Sequence, residues 1–124
     1  MKRALIILIT CLSGGAFAET AKDALAALQK LETRTEVGIN YKEYSAEVGK
    51  TKYTVDQFTK NTKFKPLSRE ETCAMTLDLA VQQYLTALSS WRLSIEVRMQ
   101  PNLSEYWSDA SSTIKDAKAK CKAK

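Results

Sequence analysis

Histidine is absent from all 124 residues. Its absence removes the usual general base at neutral pH, the Ser–His and Cys–His nucleophile pairs and the commonest metal ligand. No CxxC or CxxCH spacing occurs, and no glycine-rich phosphate loop, so the familiar signatures of redox, haem and nucleotide chemistry are missing too. The expectation is a protein that is not an enzyme and holds no cofactor and no metal. Breakers are scarce as well: beyond residue 18 only Gly38, Gly49, Pro66 and Pro101 remain. So few over that length favour long helices. A bilayer-spanning run of about 20 apolar residues is lacking, and no stretch alternates basic and aromatic side chains as a nucleic-acid surface does.

What the N-terminus does contain is an export pattern. Lys2 and Arg3 precede an apolar stretch over residues 4–12, the helix breakers Ser13, Gly14 and Gly15, and then Ala16-Phe17-Ala18. A basic n-region, a short h-region and small residues at the two positions read by signal peptidase form a secretory signal. Residues 1–18 are therefore expected to be removed, with cleavage between Ala18 and Glu19, and residues 19–124 to form a single helical-bundle domain. Leu8-Ile9-Thr10-Cys11 resembles a bacterial lipobox, with Thr in place of the small residue before the cysteine; lipidation of Cys11 is the alternative. Removing residues 1–18 takes away two bases and no acid, which lowers the net charge from +5 to +3. That is mild for a soluble domain and points to no nucleic-acid partner.

The rest reads as amphipathic helix. Residues 20–62 carry two apolar stripes, Ala21, Ala24, Leu28, Leu31 and then Val37, Tyr41, Tyr44, Val48, Thr51, Val55, Phe58. Steps of four and three mark a face packed on another helix. The stripes are out of phase across residues 32–38, so the buried face shifts or the helix breaks near Gly38. Residues 61–68 form a connector, since Pro66 disfavours helix at Lys65. Ser68 and Glu71 then fit a capping box. The next stripe is Cys73, Leu77, Val81, Tyr84, Leu88, Trp91, Ile95, with Leu79, Leu93 and Val97 on its flank. Asn102 with Glu105 fits the start of a last helix, whose stripe is Leu103, Trp107, Ala110, Ile114, Ala117, Cys121 and whose end is crowded with lysines that complement its dipole. The fold class is all-α: an antiparallel bundle of three long helices, or four if the first breaks near Gly38.

Two cysteines lie beyond the leader, Cys73 at the start of one helix and Cys121 at the end of the next. An even count in an exported chain predicts a disulfide. Counting from the turn, the first helix has about eight more residues to cover, roughly 12 Å. Either the lysine-rich end unwinds or the loop is asymmetric. Glu43 and Glu47 form an i, i+4 carboxylate pair of the sort common on solvated faces. The functional expectation is a periplasmic or secreted protein acting through contact with a protein partner or a second copy, with Leu79, Leu93 and Val97 as the interaction surface. The alternatives are a ligand-binding or sensory bundle with a pocket near Tyr41, Tyr44, Tyr84 and Trp91, and an envelope lipoprotein anchored at Cys11. Membrane contact is expected only through a lipidated Cys11 or through the basic C-terminal tail on anionic lipid.

Overall fold

A computed structural model describes residues 21–60 and 63–122. The signal, its Ala18–Glu19 junction and Cys11 lie outside the described residues. Among those described there are four helices and no strand: α1 over residues 21–37, α2 over Tyr41–Thr59, α3 over Arg69–Glu96 and α4 over Ser104–Lys120. They pack as an all-α bundle.

The break at Gly38 is a true helix end. Gly38 takes φ +120° and its N–H donates to the Arg34 carbonyl at 3.0 Å. Nothing stands within 4 Å of where a Cβ would sit, so the backbone angle, not space, is what calls for glycine. Two residues on, Asn40 caps α2, its side chain accepting from the Glu43 N–H at 2.8 Å. The three-residue connection folds α2 back along α1, and Arg34 spans the pair to Glu43 and Glu47 at 3.7 and 3.6 Å. Val37, placed first on the second stripe by its spacing, is exposed because it is the last residue of α1. The rest of that stripe from Tyr44 to Phe58 is buried, as are Ala21, Ala24, Leu28 and Leu31 of α1. Each fully buried Leu contributes about 1.5–3 kcal/mol relative to exposure.

The connector ends in a tight turn. Ser68 N–H donates to the Lys65 carbonyl, with Pro66 and then Leu67 at φ +61° between them. Proline cannot take a positive φ, so the turn is type II. Ser68 accepts from the Glu71 N–H at 3.1 Å, as a capping box requires, but Glu71 reaches one residue further back than expected, to the N–H of Leu67 at 2.9 Å. The Ser68 N–H is already taken by the turn.

Cys73 and Cys121 are bonded, with Cα atoms 4.7 Å apart. The bond sets the level of α4 against α3. From Cys73, α3 climbs about 35 Å; from Cys121, α4 climbs about 26 Å at 1.5 Å per residue. Helix α4 stays helical to Lys120, so the asymmetric loop over residues 97–103 absorbs the difference. Tyr41, the first residue of α2, lies against Trp91, and so does Trp107 of α4. Beyond that level α3 outreaches α4, and of its last three residues only Ser94 stays buried. Ile95, expected to continue the buried stripe, is therefore exposed, together with Leu93, Val97 and Met99. The start of α4 also differs from expectation. Leu103 is the N-cap and makes no side-chain cap bond, while Asn102 accepts only from the Ser104 hydroxyl at 3.3 Å. Burial of Leu103 against the core fixes the helix start one residue later than the Asn102 signal.

Helix α3 closes with a Schellman motif: Met99 N–H donates to the Ser94 carbonyl and Arg98 N–H to that of Ile95. This places Arg98 at φ +58°, where a glycine is usual. A left-handed conformation costs a residue with a Cβ about 1–2 kcal/mol, partly offset by glycine's larger unfolded entropy. Arg98→Gly is expected to raise unfolding free energy by about 0.5–1 kcal/mol; chemical denaturation of parent and variant measures it.

Candidate functional site

Of the four residues proposed to line a pocket, Tyr41, Tyr44 and Trp91 come together in ring contact, and Tyr84 joins them through its backbone carbonyl. Tyr44 of α2 is fully buried and its ring lies 5.6 Å from Trp91 and 5.5 Å from Trp107, centre to centre. Tyr41 meets Trp91 edge-on at 5.6 Å, and the two indoles stand 6.2 Å apart. These are ring-contact separations, so the aromatic faces fill the space between the helices. The Tyr44 hydroxyl donates to the backbone carbonyl of Tyr84 at 2.8 Å and accepts from Trp107 Nε1 at 3.1 Å. One phenol on α2 thus bonds α3 and α4 at once. Spacing alone placed Tyr44 on the inner face; it gave no sign that Trp107 would complete the bond.

Tyr84 is equally buried, yet among the described residues its hydroxyl has no hydrogen-bond partner. Burial pushes both phenols above the usual tyrosine range. For Tyr44 the bond from Trp107 offsets part of the effect; for Tyr84 the Glu32 carboxylate, the Tyr44 phenol and the Glu36 carboxylate add to it in that order. Neither is set up as a proton carrier at neutral pH. Glu43 and Glu47 already face the Arg34 guanidinium, and Lys50 lies 3.9 Å from Glu47, so this carboxylate pair belongs to an ion-pair network across the α1–α2 hairpin. Among the described residues no group of three or more acids and cysteines is gathered as a metal site.

Open features lie elsewhere. A groove of about 680 Å³ runs between α3 and α4, with Leu67, Met75 and Leu79 on its apolar side and Asp116 and Lys120 across from them. A smaller one of about 270 Å³ lies on the other side of Met75, against Thr59 and Phe64. Leu79, Leu93 and Val97 are all exposed, at 51%, 58% and 53%. They do not form one patch. Leu79 and Leu93 are 14 residues apart, about 21 Å along the helix, and Gln82, Thr86 and Ser89 are exposed between them. Leu79 belongs to the groove. Leu93 and Val97 belong to the free end of α3, with Ile95, which its spacing had placed on the buried stripe, and Met99, which no stripe included. Their signal was the difference in helix length, legible only once the disulfide level was known.

Compared with protein-family models, curated proteins and solved structures, the chain matches none.

The two buried tyrosines predict opposite mutant effects. Tyr44→Phe removes the shared hydroxyl and should cost about 1–2 kcal/mol, whereas Tyr84→Phe should be neutral or stabilising, since it deletes an unsatisfied buried group. Because both folded-state pKa values lie above the unfolded value of about 10, the stability they contribute is complete below that pH and is lost as pH rises past it. Alkaline melts should therefore fall from about pH 10 upward, with a shallower slope in Tyr84→Phe, where only Tyr44 remains to contribute.

Proposed function

We propose that the protein is exported, is not an enzyme, and works by contact with another protein or a second copy of itself through the free end of α3. The observation that carries this reading is the overhang: Leu93, Ile95, Val97 and Met99 are exposed where neither α2 nor α4 extends far enough to cover them. Large apolar side chains exposed together at one helix end, with Leu93 and Ile95 on either side of the buried Ser94, mark a contact surface. Their exposure is no accident of a frayed end, since α3 is closed by the Schellman bonds at Ser94 and Ile95. The signal-like N-terminus and a disulfide between the remaining cysteines support export, because such bonds persist in oxidising compartments.

Leu93→Ser tests the contact. An exposed position away from the core changes folding stability by no more than about 0.5 kcal/mol, so the melting temperature should hold while self-association, read by sedimentation, or cross-linking to a partner in the host is lost. A marked loss of stability with association unchanged contradicts the proposal. The export part is read by intact mass of the protein from its host, which should begin at Glu19; a diacylated Cys11 replaces this with a membrane-anchored form.

A further inference from the structure

The fold sorts charge between its ends. The end formed by residues 59–60, 63–72 and 115–122 carries eight basic and three acidic residues, a net of +5, while residues 32–47 and 92–109 at the other end carry four basic and seven acidic, a net of −3. In sequence the lysines belong to two separate runs. The Cys73–Cys121 bond joins them, holding Lys118, Lys120 and Lys122 beside the start of α3 and so beside Lys60, Lys63 and Lys65. All six are exposed. Among the described residues only Lys120 of these is in an ion pair, with Asp116.

At the tip of the same end stands Leu67, 96% exposed and held at φ +61°. The left-handed conformation disfavours any residue with a Cβ, and full exposure gains nothing from burial. Position i+2 of a type II turn ordinarily takes Gly or Asn. A leucine there, fixed by the Glu71 carboxylate on its N–H, is a rigid apolar point with Lys65 two residues before it and Lys63 just behind.

We propose that this end docks on an anionic lipid bilayer, the lysines lying at the headgroups and Leu67 entering the acyl boundary. Charge complementarity selects an anionic surface, and the apolar tip selects a bilayer over a soluble polyanion, which offers Leu67 nowhere to go. The site is at the opposite pole from the α3 overhang, which docking leaves free.

Co-sedimentation with vesicles tests this, using the protein as its host exports it. Vesicles containing phosphatidylglycerol are compared with pure phosphatidylcholine. Binding should need the anionic lipid and fall as salt rises. Each lysine near such a surface is worth roughly five-fold in binding, so Lys63→Glu/Lys65→Glu should weaken it by at least about 25-fold with the melting temperature unchanged. Leu67→Gly separates function from structure: it relieves the strained turn and should raise the melting temperature, yet weaken vesicle binding by roughly ten-fold. Equal binding to neutral vesicles, or anionic binding that is unaffected by both variants, overturns the proposal. So does a short soluble polyanion that binds as tightly as the vesicles and is unaffected by Leu67→Gly.

Discussion

The Cys73–Cys121 bond is the constraint from which the rest of the shape follows. It fixes one end of α4 against one end of α3, and the two helices then differ in reach by about 9 Å. That difference appears as the seven-residue loop over 97–103, as the Schellman closure at Arg98 and as the uncovered side chains of Leu93, Ile95, Val97 and Met99. The same bond brings two lysine runs to one pole. In the chain-entropy account, closing a separation of 48 residues stabilises by about 4 kcal/mol, a large share of what a domain of this size has in total.

A second fastening lies toward the end of the bundle opposite the disulfide, in the first turns of α2 and α4. Tyr44 bonds both α3 and α4 through one hydroxyl and packs against both tryptophans. Its bonds are satisfied in a site with little water, where neutral hydrogen bonds matter most by being costly to lose. The disulfide sets the level of the helices and Tyr44 sets which faces meet. Both working surfaces proposed above lie outside this fastened region, one at each pole.

The periodic parts of the fold were legible in the sequence. The α1 stripe, the buried run from Tyr44 to Phe58, the cap at Ser68 and the cysteine pairing follow from local spacing and from the count of cysteines. Gly38 signalled a choice between a shifted face and a break, and only the chain's need to fold back on Arg34 decides it. What escaped depends on lengths compared across elements: Ile95 has the right spacing for burial and lies where no partner reaches. Leu103 overrides the Asn102 cap because burial of a leucine outweighs one exposed polar bond. Leu67 read as an ordinary connector residue, since neither its positive φ nor its exposure leaves a mark in composition.

Unfolding of oxidised and reduced protein, followed in parallel by denaturant titration and amide hydrogen exchange, tests the central role of the disulfide most directly. Reduction should lower unfolding free energy by about 4 kcal/mol and should speed exchange first over residues 113–122, while the tryptophan signals of the Tyr44 cluster persist. Equal stability of the two forms, or two free thiols in the unfolded protein before any reductant is added, contradicts it.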